Sequence, residues 1–206
     1  MSADGLGYSD AKRAAQAAAV QALSDGLGPA AAARATITAT DAFFAQVVDA
    51  LDLKPQVDGL ACAAGCAWCC HQIVGITGAE AALLAQAIAA LPPERRTILA
   101  TRTRDAMTRG RGLDQRDWWA ARIRCPVLED NGLCGLHADR PLACRAFNSA
   151  DADACKRSLL GEAVRTPVLG AQHGIWAHAQ AGLAEADGTM APMALAEVLE
   201  RILAKA

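Results

Sequence analysis

Eight cysteines are the residues of this sequence most able to do chemistry, and all of them lie between Cys62 and Cys155. The first four, Cys62, Cys66, Cys69 and Cys70, fall within nine residues; Cys125, Cys134, Cys144 and Cys155 follow at wider intervals. Two or three residues between cysteines let a chain turn so that neighbouring thiolates converge on one ion, with backbone amides facing sulfur. Gly65 is placed to provide that turn. Burial of cysteine as a small hydrophobe gives no reason for four in nine residues, and a vicinal pair cannot bridge normally as a disulfide. The pattern predicts that all eight cysteines are thiolate ligands of zinc, iron or an iron-sulfur cluster.

The count fits two sites of four thiolates, one mixed site with spare thiols, or a single cluster with further cysteines around it. Adjacent residues tend to face different sides of the chain, so one of Cys69 and Cys70 joins Cys62 and Cys66 on the same ion. Cys69 is the expected member, with Cys144 first and Cys125 second as the distant fourth ligand. Cys70 is then free for another ion or for packing. His71 and His137 stand close enough in sequence to ligate through imidazole, although a hydrogen-bonded or surface role is commoner. His173 and His178 lie far from the cysteines and read as structural. A four-thiolate site carries surplus negative charge, which Arg124, Arg140 and Arg145 can offset.

These residues need elements to position them. The first fifty residues read as alanine-rich helix in two pieces, interrupted at Gly26, Gly28 and Pro29, with Thr40 capping a helix that carries Phe43, Phe44, Val47, Val48 and Leu51. Lys54 to Leu60 reads as a loop delivering the first cysteines. Thr77 and Glu80 form a capping box for a helix to Leu91, and Pro93 or Glu94 opens another through Met107, stopped by Gly110 and Gly112. Trp118 and Trp119 lie in a shorter element. Asp130-Asn131-Gly132 is a turn, Asp139 to Phe147 one more short helix, and two helices close the chain around Ile175 to Leu183 and from Pro192. The expectation is a mainly α, single helical domain around a loop-rich cysteine metal centre. It has an N-terminal helical arm (1–57), a chelating region (58–156) and C-terminal helices (157–206).

Composition narrows the class. With 20 Lys and Arg against 22 Asp and Glu, the chain has no basic excess for a phosphate backbone, so nucleic acid is not an expected partner. The uncharged windows 59–79 and 166–184 carry glycines, histidines and glutamines, and neither reads as a membrane span. The N-terminus shows no basic region followed by an apolar one, which predicts reduced thiols in the cytoplasm. The expected partner is a metal ion; no protein partner can be named. Three Phe, one Tyr and four Trp leave few large anchors, so a metal that crosslinks loops would add stability.

The segment from Cys62 to His71, with Thr77 and Glu80 downstream, resembles the opening motif of the YkgJ-type cysteine-cluster family of zinc- or iron-chelating proteins. Cys125-Pro126-Val127-Leu128, Cys134, the run Arg140-Pro141-Leu142-Ala143-Cys144-Arg145 and Cys155 resemble its later blocks in order and spacing. The resemblance covers roughly residues 58 to 156, and departs in having three residues, not two, between the first cysteines. It implies metal chelation. Some relatives are described as flagellin lysine methylases, which implies as an alternative an iron-sulfur protein acting in methylation or electron transfer.

Cys62, Cys66 and Cys69, with Trp68, also reproduce the cluster motif of radical S-adenosylmethionine enzymes. Those enzymes need repeated strand and helix units after the motif, and the 136 residues after Cys70 read instead as helices, loops and one turn. No Asp, Glu or His catalytic group stands around the motif, so hydrolytic zinc chemistry is not expected either.

Overall fold

Alanine dominates the first two helices, and their packing follows from it. In the computed structural model, which describes residues 6–205, α1 (Tyr8–Ser24) buries Ala11, Ala15, Ala19 and Ala22 along one face. α2 (Pro29–Ala50) begins where Gly28 takes a φ of 83° and Pro29 occupies the first turn, a position that needs no N–H. Small side chains let helix backbones approach, and α9 (Gly170–Asp187) packs against both. At the closest point a Cβ on Gly182 would collide with the carbonyl oxygen of Lys12. Gly182→Ala should therefore push α1 away from α9 and cost about 1–3 kcal/mol by denaturant unfolding. An unchanged midpoint would show that the helices can separate freely.

α4 (Gly78–Ala89) starts at the predicted capping box: Thr77 Oγ1 accepts from the Glu80 amide at 3.2 Å and Glu80 Oε2 accepts from the Thr77 amide at 2.8 Å. α5 (Pro93–Gly110) follows, and the ring of Trp118, on α6 (Gln115–Ala120), lies against Gly110 where no Cβ would fit. Gly75 and Ile76 (β1) pair antiparallel with Ala194 and Met193 (β2). This pair anchors α10 (Leu195–Leu203), which packs on α5. Ten α-helices and one two-stranded sheet among the described residues make a mainly α fold. Among the described residues no helix is long and apolar enough to cross a membrane.

Several boundaries differ from expectation. Thr40 caps nothing; it is buried inside α2 and donates its hydroxyl to the Thr36 carbonyl at 2.7 Å, a local bond that satisfies it without breaking the helix. The loop expected from Lys54 to Leu60 contains a short helix, α3 (Lys54–Asp58), with Pro55 in its first turn. The helix after Thr77 ends at Ala89 rather than Leu91, and the one expected over Asp139 to Phe147 is shortened to α7 (Leu142–Ala146), because Pro141 opens it. α8 (Ala152–Leu159) was not anticipated, although its start is an ordinary one, with the Asp151 carboxylate accepting from the Ala154 amide at 2.9 Å.

Candidate metal centre

Four separate segments carry the cysteines, and backbone bonds draw them together. The first runs through Cys62 to Cys66: the Ala61 amide donates to the Ser149 carbonyl at 2.9 Å, and the Ser149 amide donates to Cys62 Sγ at 3.2 Å. Gly65, with a φ of 89°, closes the turn in which the Cys66 amide reaches the Ala63 carbonyl at 2.9 Å. Cys69 and Cys70 follow in a 3-10 turn, Trp68–His71.

The second segment is a small hairpin. Leu128 bridges Cys134, the Glu129 amide donates to Leu133, and Gly132 makes the predicted turn with a φ of 81°. A Cβ on Gly132 would stand 3.0 Å from the Gly65 carbonyl oxygen, so the two cysteine loops meet glycine to glycine. The Cys125 amide donates to the Cys70 carbonyl at 2.7 Å and fixes the base of the hairpin to the 3-10 turn.

Cys144 sits on α7, whose start is held by a residue far away in sequence. Glu80 is 1% exposed, and beyond its capping role its Oε1 accepts from the Leu142 amide at 2.7 Å while Oε2 accepts from Gln180 at 3.1 Å. One carboxylate thus ties α4, α7 and α9 together and positions Cys144. The fourth segment is α8, which carries Cys155, packs on the 3-10 turn and places Lys156 Nζ 5.9 Å from the centre of the Trp68 ring.

Seven of the eight thiols, all but Cys155, line one cavity of about 770 Å³. Cys125, Cys134 and Cys144 pack against the apolar cluster that includes Val74, Ile76, Leu84 and Leu136, whereas Cys62 is exposed. The Cys62 thiol is pushed up by burial, and negative charge at Cys66, Cys69 and Cys155 adds to the rise. The expected fourth partner for Cys62, Cys66 and Cys69 is Cys144, with Cys125 second; both pack with Cys134 against the apolar cluster and share the cavity with Cys62, Cys66 and Cys69. Cys69 stands between the groups, within reach of the charge of both.

Every resolved shift among the thiols is upward. Burial drives it at Cys134 and Cys144, pushes Cys125 up to about 12, and at Cys69 adds to a hydrogen bond with the Cys70 thiol. Metal ions bind thiolates, so a cation entering here displaces protons. Apparent metal affinity should therefore rise with pH by about tenfold per pH unit for each proton displaced, read by chelator competition between about pH 6 and pH 8. A flat profile would mean that the thiols are ionised before metal arrives.

The charged neighbours sort clearly. Arg124 donates to the Glu129 carbonyl and Arg145 to the carbonyls of Arg140 and Ala138, with its guanidinium 5.6 Å from the Trp176 ring centre. Arg140 differs. Like Arg145 it lines the cavity, but its charge opposes the rise at Cys69 and Cys134, and its buried Nε has no hydrogen-bond acceptor among the described residues. An orphaned buried donor costs about 1–3 kcal/mol, and sulfur carrying the charge of a metal-bound thiolate is the acceptor this position suits. The donor set therefore fits a metal. No three His, Cys, Asp or Glu among the described residues are gathered into a formed ion site, so an ion would have to draw the thiols inward within the cavity.

Two of the four histidines, His71 and His137, stand near cysteines in the chain and two stand apart. His71 places Nδ1 3.2 Å from the Trp68 carbonyl and its pKa is lowered by burial; His137 lines the cavity with its pKa lowered by the Arg140 charge. His178 places Nδ1 2.8 Å from the Gly174 carbonyl and stacks on Tyr8, and His173 lies against Phe147. Sequence reasoning missed Ser149, whose amide faces Cys62, and the Glu80 link to α7; neither leaves a local sequence signal.

A family model, CxxCxxCC, described as "Putative zinc- or iron-chelating domain", matches residues 61–162. No curated protein and no solved structure matches the chain. The matched segment begins one residue before Cys62 and ends after α8, so it contains all eight cysteines together with Glu80 and Arg140. Through that segment the chain matches the CxxCxxCC family.

Proposed function

We propose that the protein binds zinc or iron through the thiolates of Cys62, Cys66, Cys69, Cys70, Cys125, Cys134, Cys144 and Cys155. The observation that carries this reading is the shared cavity, to which seven cysteines spread over 83 residue positions, from Cys62 to Cys144, all contribute. The orphaned Nε of Arg140 supports it, as does the family's chelating description. Eight free thiols suit a reducing compartment, the cytoplasm in the simplest case. The chelating region, 58–156, works as the centre of one domain whose end segments pack around it.

The test is metal K-edge absorption spectroscopy on the anaerobically purified chain. A zinc or iron edge with a sulfur-only first shell, near 2.3 Å for zinc, supports thiolate chelation. Nitrogen or oxygen as the dominant ligand would overturn it. Visible absorption with iron and acid-labile sulfide would select the iron-sulfur form and reopen redox or methylation chemistry.

A further inference from the structure

We infer that the thiolates form two unequal centres: a core-packed, slowly exchanging one on Cys125, Cys134 and Cys144, and a less supported, readily exchanging one on Cys62, Cys66 and Cys155. The vicinal pair on the 3-10 turn supplies one thiolate to each. This rests on the chelating function proposed above and adds its number of centres, their ligand sets and their exchange behaviour.

The division follows the segments. Cys125 and Cys134 stand on a hairpin and Cys144 on α7, and all three pack against the apolar cluster of Val74, Ile76, Leu84 and Leu136. That cluster also holds Leu195, Val198 and Leu199 of α10, so an ion there sits among residues from both halves of the chain. Opening it exposes the core.

The other set has no such backing. Not one residue from 48 to 73 is buried, so the segment that carries Cys62 and Cys66 holds its place through a few polar bonds and the glycine contact. Its anchor is Ser149, whose amide meets Cys62 Sγ and whose hydroxyl accepts from the Asp151 amide at the start of α8. Cys155 stands one turn further along α8. Residues with few buried apolar contacts open at low free-energy cost, and a thiolate site on such a segment releases its ion by local opening.

The 3-10 turn lies between the sets, bonded to Cys125 through the Cys70 carbonyl and packed on α8 at its other side. Cys69 and Cys70 are adjacent on it, which suits one thiolate to each centre. A thiolate-bound ion on a segment that opens locally can pass by ligand exchange to another thiol donor, so the less supported centre is where the protein would give up or acquire metal, and the core-packed one is structural.

The experiment loads the full chain with zinc(II) under anaerobic conditions and follows release to a chromophoric chelator. Two equivalents should leave in two phases separated by at least about 100-fold in rate, the slow one tracking global unfolding. Cys62→Ser and Cys155→Ser, both outside the apolar cluster, should each remove the fast phase and keep the slow equivalent. Hydrogen exchange over residues 59–71 should quicken as the first equivalent leaves. A single phase, a total of one equivalent, or loss of both equivalents in Cys62→Ser would overturn the inference while leaving metal chelation standing. A chain that takes up no metal would instead refute the chelating function.

Discussion

Stripping the metal should lower the unfolding free energy of the loaded chain by about 4 kcal/mol when free metal stands about a thousandfold above its dissociation constant. An ion that binds the folded chain and not the unfolded one stabilises by that linkage, and structural thiolate sites are among the tightest. The loss should be uneven. α1, α2 and α9 share their own core of Ala15, Ala19, Ala33, Trp176 and Leu183, so far-ultraviolet ellipticity should largely persist in the stripped chain. Residues 48–73 contain no buried residue and should lose order first. Equal denaturation midpoints with and without chelator would mean that the ion contributes nothing to the fold.

Replacing Glu80 should rank with the most damaging single substitutions. Its two oxygens receive three N–H groups, from Thr77, Leu142 and Gln180, in a site that is 1% exposed. Burial pushes its pKa up while those donors hold it down. Glu80→Ala leaves buried amides on α4 and α7 unsatisfied and should cost about 3–5 kcal/mol. Glu80→Gln fills the same volume but turns an NH2 toward a donor, and should cost about 1–3 kcal/mol. Both should weaken metal binding at the Cys144 set more than at the Cys62 set, which chelator titration would separate. Wild-type stability in Glu80→Ala would show that Cys144 is positioned some other way.

What could be read from sequence was local. Thr77 and Glu80 announce a helix start because both halves of the box lie within four residues, and Gly65 and Gly132 announce turns because positive φ selects glycine. The third bond of Glu80 spans 62 residues and has no local signature. Thr40 misled because a threonine before a helical pattern resembles a cap whether or not its hydroxyl finds the i−4 carbonyl. The cysteine count and the two groups of four were legible, yet their division was not. Sequence order joined Cys69 to Cys62 and Cys66; that the 3-10 turn also packs on α8, which carries Cys155, and bonds to Cys125 is tertiary and leaves no local signal. α8 was missed although Asp151 marks its start, and with it went the nearest clue to the place of Cys155.

The most direct test of the account is the metal content of the chain purified without air, measured by elemental analysis per mole of protein. Zinc or iron near two equivalents, falling to near one in Cys62→Ser, is the predicted result. Wild-type protein free of bound metal, with all eight thiols titrating as in an unfolded chain, would contradict it.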